Sequence, residues 1–170
     1  GSLNSLVGGL TGLALTSGNN NTALGYAALS TDTLGDRNVA IGVSALAAQN
    51  FTTSTDAYNV AVGYEAGNDI TTGQFNNLVG GLAGDALTDG AANIAMGYTA
   101  LTSDTRGSNS TAIGHAALGS QNFTTATANY NTAVGSNAGG AVTTGINNVL
   151  VGGLAGDALQ AASDNTAVGY

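Results

Sequence analysis

Proton chemistry has little to work with in this chain. It holds one histidine, His115, and ten acidic side chains. A nucleophile–His–acid relay needs its imidazole within hydrogen-bond reach of both partners, and one histidine allows at most one such set. The matching places in other repeat units hold Tyr26, Val43, Tyr64, Tyr98 and Ser136. His115 therefore reads as a surface or interface substitution. Acid–base work by paired carboxylates needs groups roughly 5–10 Å apart. Asp32 corresponds to Asp104 and Asp85 to Asp157, but each pair is separated by four repeat units, about 20 Å at strand spacing. The runs Gly80–Asp85 and Gly152–Asp157 faintly resemble the glycine- and aspartate-rich calcium turns of secreted β-helices. Their third glycine comes one residue late, and the first copy, Gly8–Leu13, lacks the acid. These aspartates read as hydrated loop residues. With no cysteine there is no disulfide or thiolate site. The reading is of a non-enzymatic chain with no cofactor and no metal.

Recognition has a better candidate. Gln49, Asn50, Phe51 and Tyr58 fall in one lengthened loop, and Gln121, Asn122, Phe123 and Tyr130 in its counterpart. Long loops on rigid scaffolds often carry binding. An aromatic ring beside amides and hydroxyls suits the face of a cell-surface glycan or a receptor. Packing of Phe51 and Phe123 against a neighbouring chain is the competing reading.

These residues are positioned by a repeat. The pattern Asn-x-Ala-φ-Gly, with φ aliphatic or Met, closes at Gly8, Gly25, Gly42, Gly63, Gly80, Gly97, Gly114, Gly135, Gly152 and Gly169. The spacing is 17 residues, except for 21 before Gly63 and Gly135. A period this short marks a solenoid, each unit one coil stacked on the last. The spacing series repeats after 72 residues, so one repeat domain spans 1–170, with modules 1–72 and 73–144 and a partial third, 145–170. The partial module reads as a cut through a longer array. A helical solenoid does not fit, because 17 residues leave no room for a helix pair. A glycine inside every unit would also cost about 1 kcal/mol each in a helix.

Within a unit, alternate residues face opposite sides of a strand. The unit reads as a short strand, a turn, a second short strand and a loop. The Ala place (Ala23, Ala40, Ala61) and the φ place after it (Leu24, Ile41, Val62) are never polar in any unit. Adjacent apolar positions imply burial on both faces. The coil interior covers one face; a second copy of the chain is expected to cover the other. Asn4, Asn21, Asn38, Asn59, Asn76, Asn93, Asn131, Asn148 and Asn165 form a register-matched row, broken only by Ser110. An amide carries both donor and acceptor, so this row is expected to be a structural ladder.

Only 7% of residues are charged, against about 25% in ordinary domains. The formal charge is −8, with Arg37 and Arg106 the only fixed cations. No basic patch can be assembled, which argues against nucleic acid and against an anionic membrane surface. No run of about 20 apolar residues suggests membrane insertion.

The unit Asn21-Thr22-Ala23-Leu24-Gly25-Tyr26-Ala27-Ala28-Leu29 resembles the YadA-like head repeats of trimeric autotransporter adhesins, and the similar repeats of phage tail fibres, many of which carry an endosialidase-type chaperone. The family pattern is usually shorter, about 14 residues. The resemblance covers the whole chain. It implies an all-β, left-handed parallel β-roll or β-helix, three chains side by side, acting as shaft or head of an adhesive fibre on a virion tail or a bacterial cell surface. A carbohydrate- or receptor-binding module using the long aromatic loops is the alternative.

Overall fold

The computed structural model describes residues 1–170. Its strands are β1 (Ser5–Val7), β2 (Thr22–Leu24), β3 (Gly35–Asp36), β4 (Val39–Ile41), β5 (Thr55–Asp56), β6 (Val60–Val62), β7 (Asn77–Val79), β8 (Ile94–Met96), β9 (Gly107–Ser108), β10 (Thr111–Ile113), β11 (Thr127–Ala128), β12 (Thr132–Val134), β13 (Val149–Val151) and β14 (Thr166–Val168). Ten of them pair in parallel as one sheet, β1-β2-β4-β6-β7-β8-β10-β12-β13-β14. Each coil contributes one strand, which makes the chain a parallel β-solenoid. The register joins like to like: Ala23 pairs with Ala40, Ala40 with Ala61, and Ala61 with Leu78. It is not disturbed by the four extra residues of the longer coils.

The expected second strand forms only twice, where β3 pairs with β5 and β9 with β11. Every coil, with or without that strand, also turns sharply. In the second coil Ala27, Leu29 and Arg37 all lie in the left-handed region, at φ 56°, 50° and 63°, and most coils repeat this. Such residues cost roughly 1–2 kcal/mol each. Hydrogen bonds to neighbouring coils offset that cost: the N–H of Ala27 donates to Gly9 O (2.9 Å), that of Leu29 to Ala45 O (3.0 Å) and that of Arg37 to Asn19 O (3.0 Å). Of 98 backbone–backbone bonds, 78 lie outside the strand ladders, so turns stacked on turns hold most of the rod.

The glycine that closes each strand has no substitute. Gly63 sits at φ +145°, and a Cβ there would lie 2.4 Å from Gly80 O in the next coil. The alanine place one turn of alternation earlier is buried in the interior, as at Ala40, Ala61 and Ala95.

The interior is filled by one of two layer types. Coils with leucine four residues after the glycine (Leu29, Leu46, Leu101, Leu118) carry Asp32, Gln49, Asp104 or Gln121 three residues later. Coils with glycine at that place (Gly12, Gly67, Gly84, Gly139, Gly156) instead carry Leu15, Ile70, Leu87, Val142 or Leu159. The two places compete for one volume. A Cβ on Gly67 would come within 2.7 Å of Leu78 Cδ1 and 3.0 Å of Ile70 Cδ1. Gly67→Leu is expected to overpack this layer and cost roughly 1–3 kcal/mol. Adding Ile70→Ala should recover part of the loss in denaturant unfolding; a double variant no more stable than Gly67→Leu alone would contradict the shared-volume account.

Candidate functional site

The asparagine row faces inward and works as a staple. Asn21 Oδ1 accepts the N–H of Asn38 (2.8 Å), and Asn59 Oδ1 that of Asn76 (2.9 Å). The Nδ2 groups mostly close their own coil: Asn21 donates to Gly35 O (2.9 Å) and Asn76 to Gly90 O (2.9 Å). Direct amide–amide bonds join only some members, such as Asn148 Nδ2 to Asn131 Oδ1 (3.1 Å). Asn38, Asn59, Asn76, Asn93, Asn131 and Asn148 are fully buried. The row carries structure, and only its end members, Asn4 and Asn165, are partly open to solvent.

Ser110, which breaks the row, is compensated from elsewhere in the coil. Asn129 stands where the first module has Ala57. Its Oδ1 accepts Ser110 Oγ (2.8 Å) and the N–H of Asn131 (3.1 Å), the service that Asn38 Oδ1 gives Asn59 (3.1 Å) in the first module. Asn129 Nδ2 is left buried without a partner.

The lengthened coils enclose half of the residues expected to reach a ligand. Gln49 and Gln121 are fully buried, and Phe51 and Phe123 nearly so, at 4% and 7% exposure. Each group is organised by a buried aspartate that the sequence reading left unassigned. Asp32 accepts the N–H of Gly35 (3.1 Å) and of Phe51 (3.2 Å) and Gln49 Nε2 (2.7 Å). Gln49 Oε1 in turn accepts Asn59 Nδ2 (2.8 Å). Asp104 repeats this with Gly107, Phe123 and Gln121 at 3.0, 3.0 and 2.6 Å. The signal for these nodes was present in the alternation of leucine and glycine described above. Asn50 is half-buried and accepts Thr33 Oγ1 (3.1 Å), while Asn122 is exposed. Tyr58 and Tyr130 stand open at 46% and 59% exposure. The two loops lie four coils apart, about 19 Å, and form separate patches.

His115 is exposed and stacks on Tyr98, with ring centroids 5.9 Å apart. No three metal-ligating side chains converge anywhere in the chain. Both cations are occupied: Arg37 pairs with Asp56, and Arg106 Nε bonds Asp89 Oδ1 at 2.9 Å. That bond to Arg106 holds the Asp89 carboxyl below its ordinary range. Asp85 goes the other way. Burial raises it, against the hydrogen bond from Thr102 Oγ1 (2.6 Å), with nearby Asp69 and Glu65 adding to the rise. A shallow groove of about 540 Å³ lies beside Thr99, Thr102, Ser120, Asn137 and Asp157; it gathers hydroxyls, an amide and one carboxylate.

One surface of the rod is apolar. The sheet face opposite the interior presents the φ side chains, including Leu24, Val79, Met96, Ile113 and Val151, all more than a third exposed. Tyr26, Tyr64 and Tyr98 border it, each 57% exposed. No helix long and apolar enough to cross a membrane is present. No protein-family model, curated protein or solved structure matched the chain.

Asn129→Ala is expected to strand Ser110 Oγ and the Asn131 N–H and to cost about 1–3 kcal/mol. Combining it with Ser110→Asn should rebuild the first-module arrangement and restore the denaturation midpoint. Asp85 gives a pH test. A carboxyl raised in the folded state adds stability below its unfolded pKa and loses it as pH rises through the folded value. Asp85→Asn should therefore raise the thermal midpoint at pH 7, and the gain should vanish near about pH 4.

Proposed function

We propose that this chain is a shaft or head segment of a homotrimeric adhesive fibre, of the phage tail-fibre or bacterial surface-adhesin kind, with left-handed coils and no catalytic role. The supporting observation is the open apolar sheet face, which runs along ten strands. At strand spacing that is about 45 Å. A contiguous exposed apolar strip of this length marks an interaction surface. Because it recurs in every coil with the same register, its natural complement is an identical rod laid alongside. The count of three and the handedness follow the resemblance to YadA-like head repeats.

The role is mechanical. A rod with a closed interior and a neutral, acidic exterior projects whatever binds at its ends and resists nonspecific attachment. Its place is outside the cell or on a virion tail. Three parallel copies would also multiply weak contacts through avidity. A second reading, direct contact with a surface glycan or receptor, is favoured by the exposure of Tyr58, Tyr130 and Asn122.

Light scattering after size exclusion should give three times the 16.4 kDa chain mass. Val62→Asp with Ile113→Asp places charges in the face without touching the interior. It should yield folded single chains by circular dichroism. A folded wild-type species at the single-chain mass would overturn the assembly.

A further inference from the structure

One place in the coil stacks its side chains along the outside of the rod. It is the residue before each ladder asparagine, held by Arg37, Tyr58, Phe75, Ala92 and Asn109 in five successive coils. All five have φ between 51° and 64°. Four of their N–H groups bond the preceding coil in the same way, Arg37 to Asn19 O (3.0 Å), Phe75 to Ala57 O (2.8 Å), Ala92 to Gln74 O (2.9 Å) and Asn109 to Ala91 O (3.0 Å); in the lengthened coil the neighbouring Ala57 N–H makes the bond, to Asp36 O (3.1 Å). A shared backbone conformation in register makes their Cα–Cβ bonds parallel.

The first three members form a closed stack. The Arg37 guanidinium lies 5.5 Å from the centre of the Tyr58 ring, a cation–π contact. Tyr58 and Phe75 stack with centroids 6.0 Å apart and planes 17° from parallel. Tyr58 thus has a neighbour on both faces, and Phe75 on one only. The next member along the rod is Ala92, whose side chain is a single methyl. The next side chain, Asn109, lies two coils beyond Phe75, about 9.6 Å away. Register and side-chain size together imply a gap one residue deep in the column, between an aromatic residue and a neutral amide residue.

We propose that this gap binds a neutral pyranose of a surface polysaccharide, its C–H face on Phe75 and its hydroxyls toward the Asn109 amide. The spacing leaves about 4.8 Å on either side of a ring centred in the gap, which suits a puckered saturated ring better than a flat aromatic one. Neutrality follows from charge. The chain carries −8, and both arginines are already paired with aspartates, so an anionic sugar meets net repulsion. The second module supplies an internal control. There Tyr130 is flanked one coil away on each side by Asn109 and Asn147, which leaves no gap.

This inference rests on the reading that the exposed loop edge recognises carbohydrate. Saturation-transfer NMR on the intact chain, with the methyl glycopyranosides of glucose, galactose and mannose and with methyl sialoside as anionic probe, tests it. Transfer to ring protons of at least one neutral glycoside is expected, and none to the sialoside. Phe75→Ala and Ala92→Leu, which fills the gap, should each abolish the signal, and Tyr130→Ala should keep it. Transfer that survives both substitutions but disappears in Tyr130→Ala overturns the gap while leaving carbohydrate recognition standing. Absence of transfer from every probe overturns both. A fall in assembled mass for Phe75→Ala, with no transfer in the wild type, assigns the column to contacts between copies and also overturns the proposal.

Discussion

The carbonyl oxygen of each strand-closing glycine occupies the space where a Cβ of the glycine one coil earlier would stand. At Gly25, Gly42, Gly80 and Gly97 that separation is 2.2–2.5 Å, well inside contact distance. Everything else in the rod depends on this approach. Coils that met at any larger spacing would lose the parallel ladder of three-residue strands, each too short to persist alone. The turn-to-turn hydrogen bonds would lengthen, and the left-handed residues they offset would become untenable. The asparagine staple acts on the same contact. Its oxygen ties one coil to the next and its nitrogen closes its own coil, so a single side chain sets both the cross-section and the stacking.

Given that spacing, the interior has a fixed volume per layer, and the chain meets it in two ways. Leucine early in the turn goes with a polar residue later; glycine early goes with an aliphatic residue later. The polar solution creates buried carboxylates and amides, which must be satisfied within the stack. Asp32 and Asp104 achieve this by capturing the N–H of Phe51 or Phe123, available because the following coil is four residues longer. The lengthened coil is thus part of a packing solution as well as a surface loop. The exchange of Asn38 and Ala57 for Ser110 and Asn129 in the second module follows the same rule: a ladder oxygen is required at that point, and the chain supplies it from whichever backbone position can reach.

With its polar groups spent inside, the surface is left with apolar side chains on one side and neutral or acidic ones elsewhere. Equivalent residues in adjacent modules stand four coils apart, and variation within a module places unlike residues in one column. The Arg37–Tyr58–Phe75 column is a product of that variation, since the backbone is constant and only side-chain identity changes from coil to coil.

The coil count, the parallel stacking, the glycine column and the register-matched asparagine row were all legible in the sequence, because a side chain that recurs on a strict period must recur in one environment. The periodic constraint also shows through residue types: only glycine tolerates the φ and the clearance at Gly63 and its equivalents. What the sequence could not decide was the direction of residues that occur once per module. Phe51 and Tyr58 lie seven residues apart in one loop, and the sequence left open whether each meets a ligand or packs. The tertiary structure buries the first beneath Asp32 and Gly35 and leaves the second outside, stacked on Phe75 from another coil. That choice depends on which neighbouring layer has room and a free hydrogen-bond acceptor, a property of the stack that no single repeat contains.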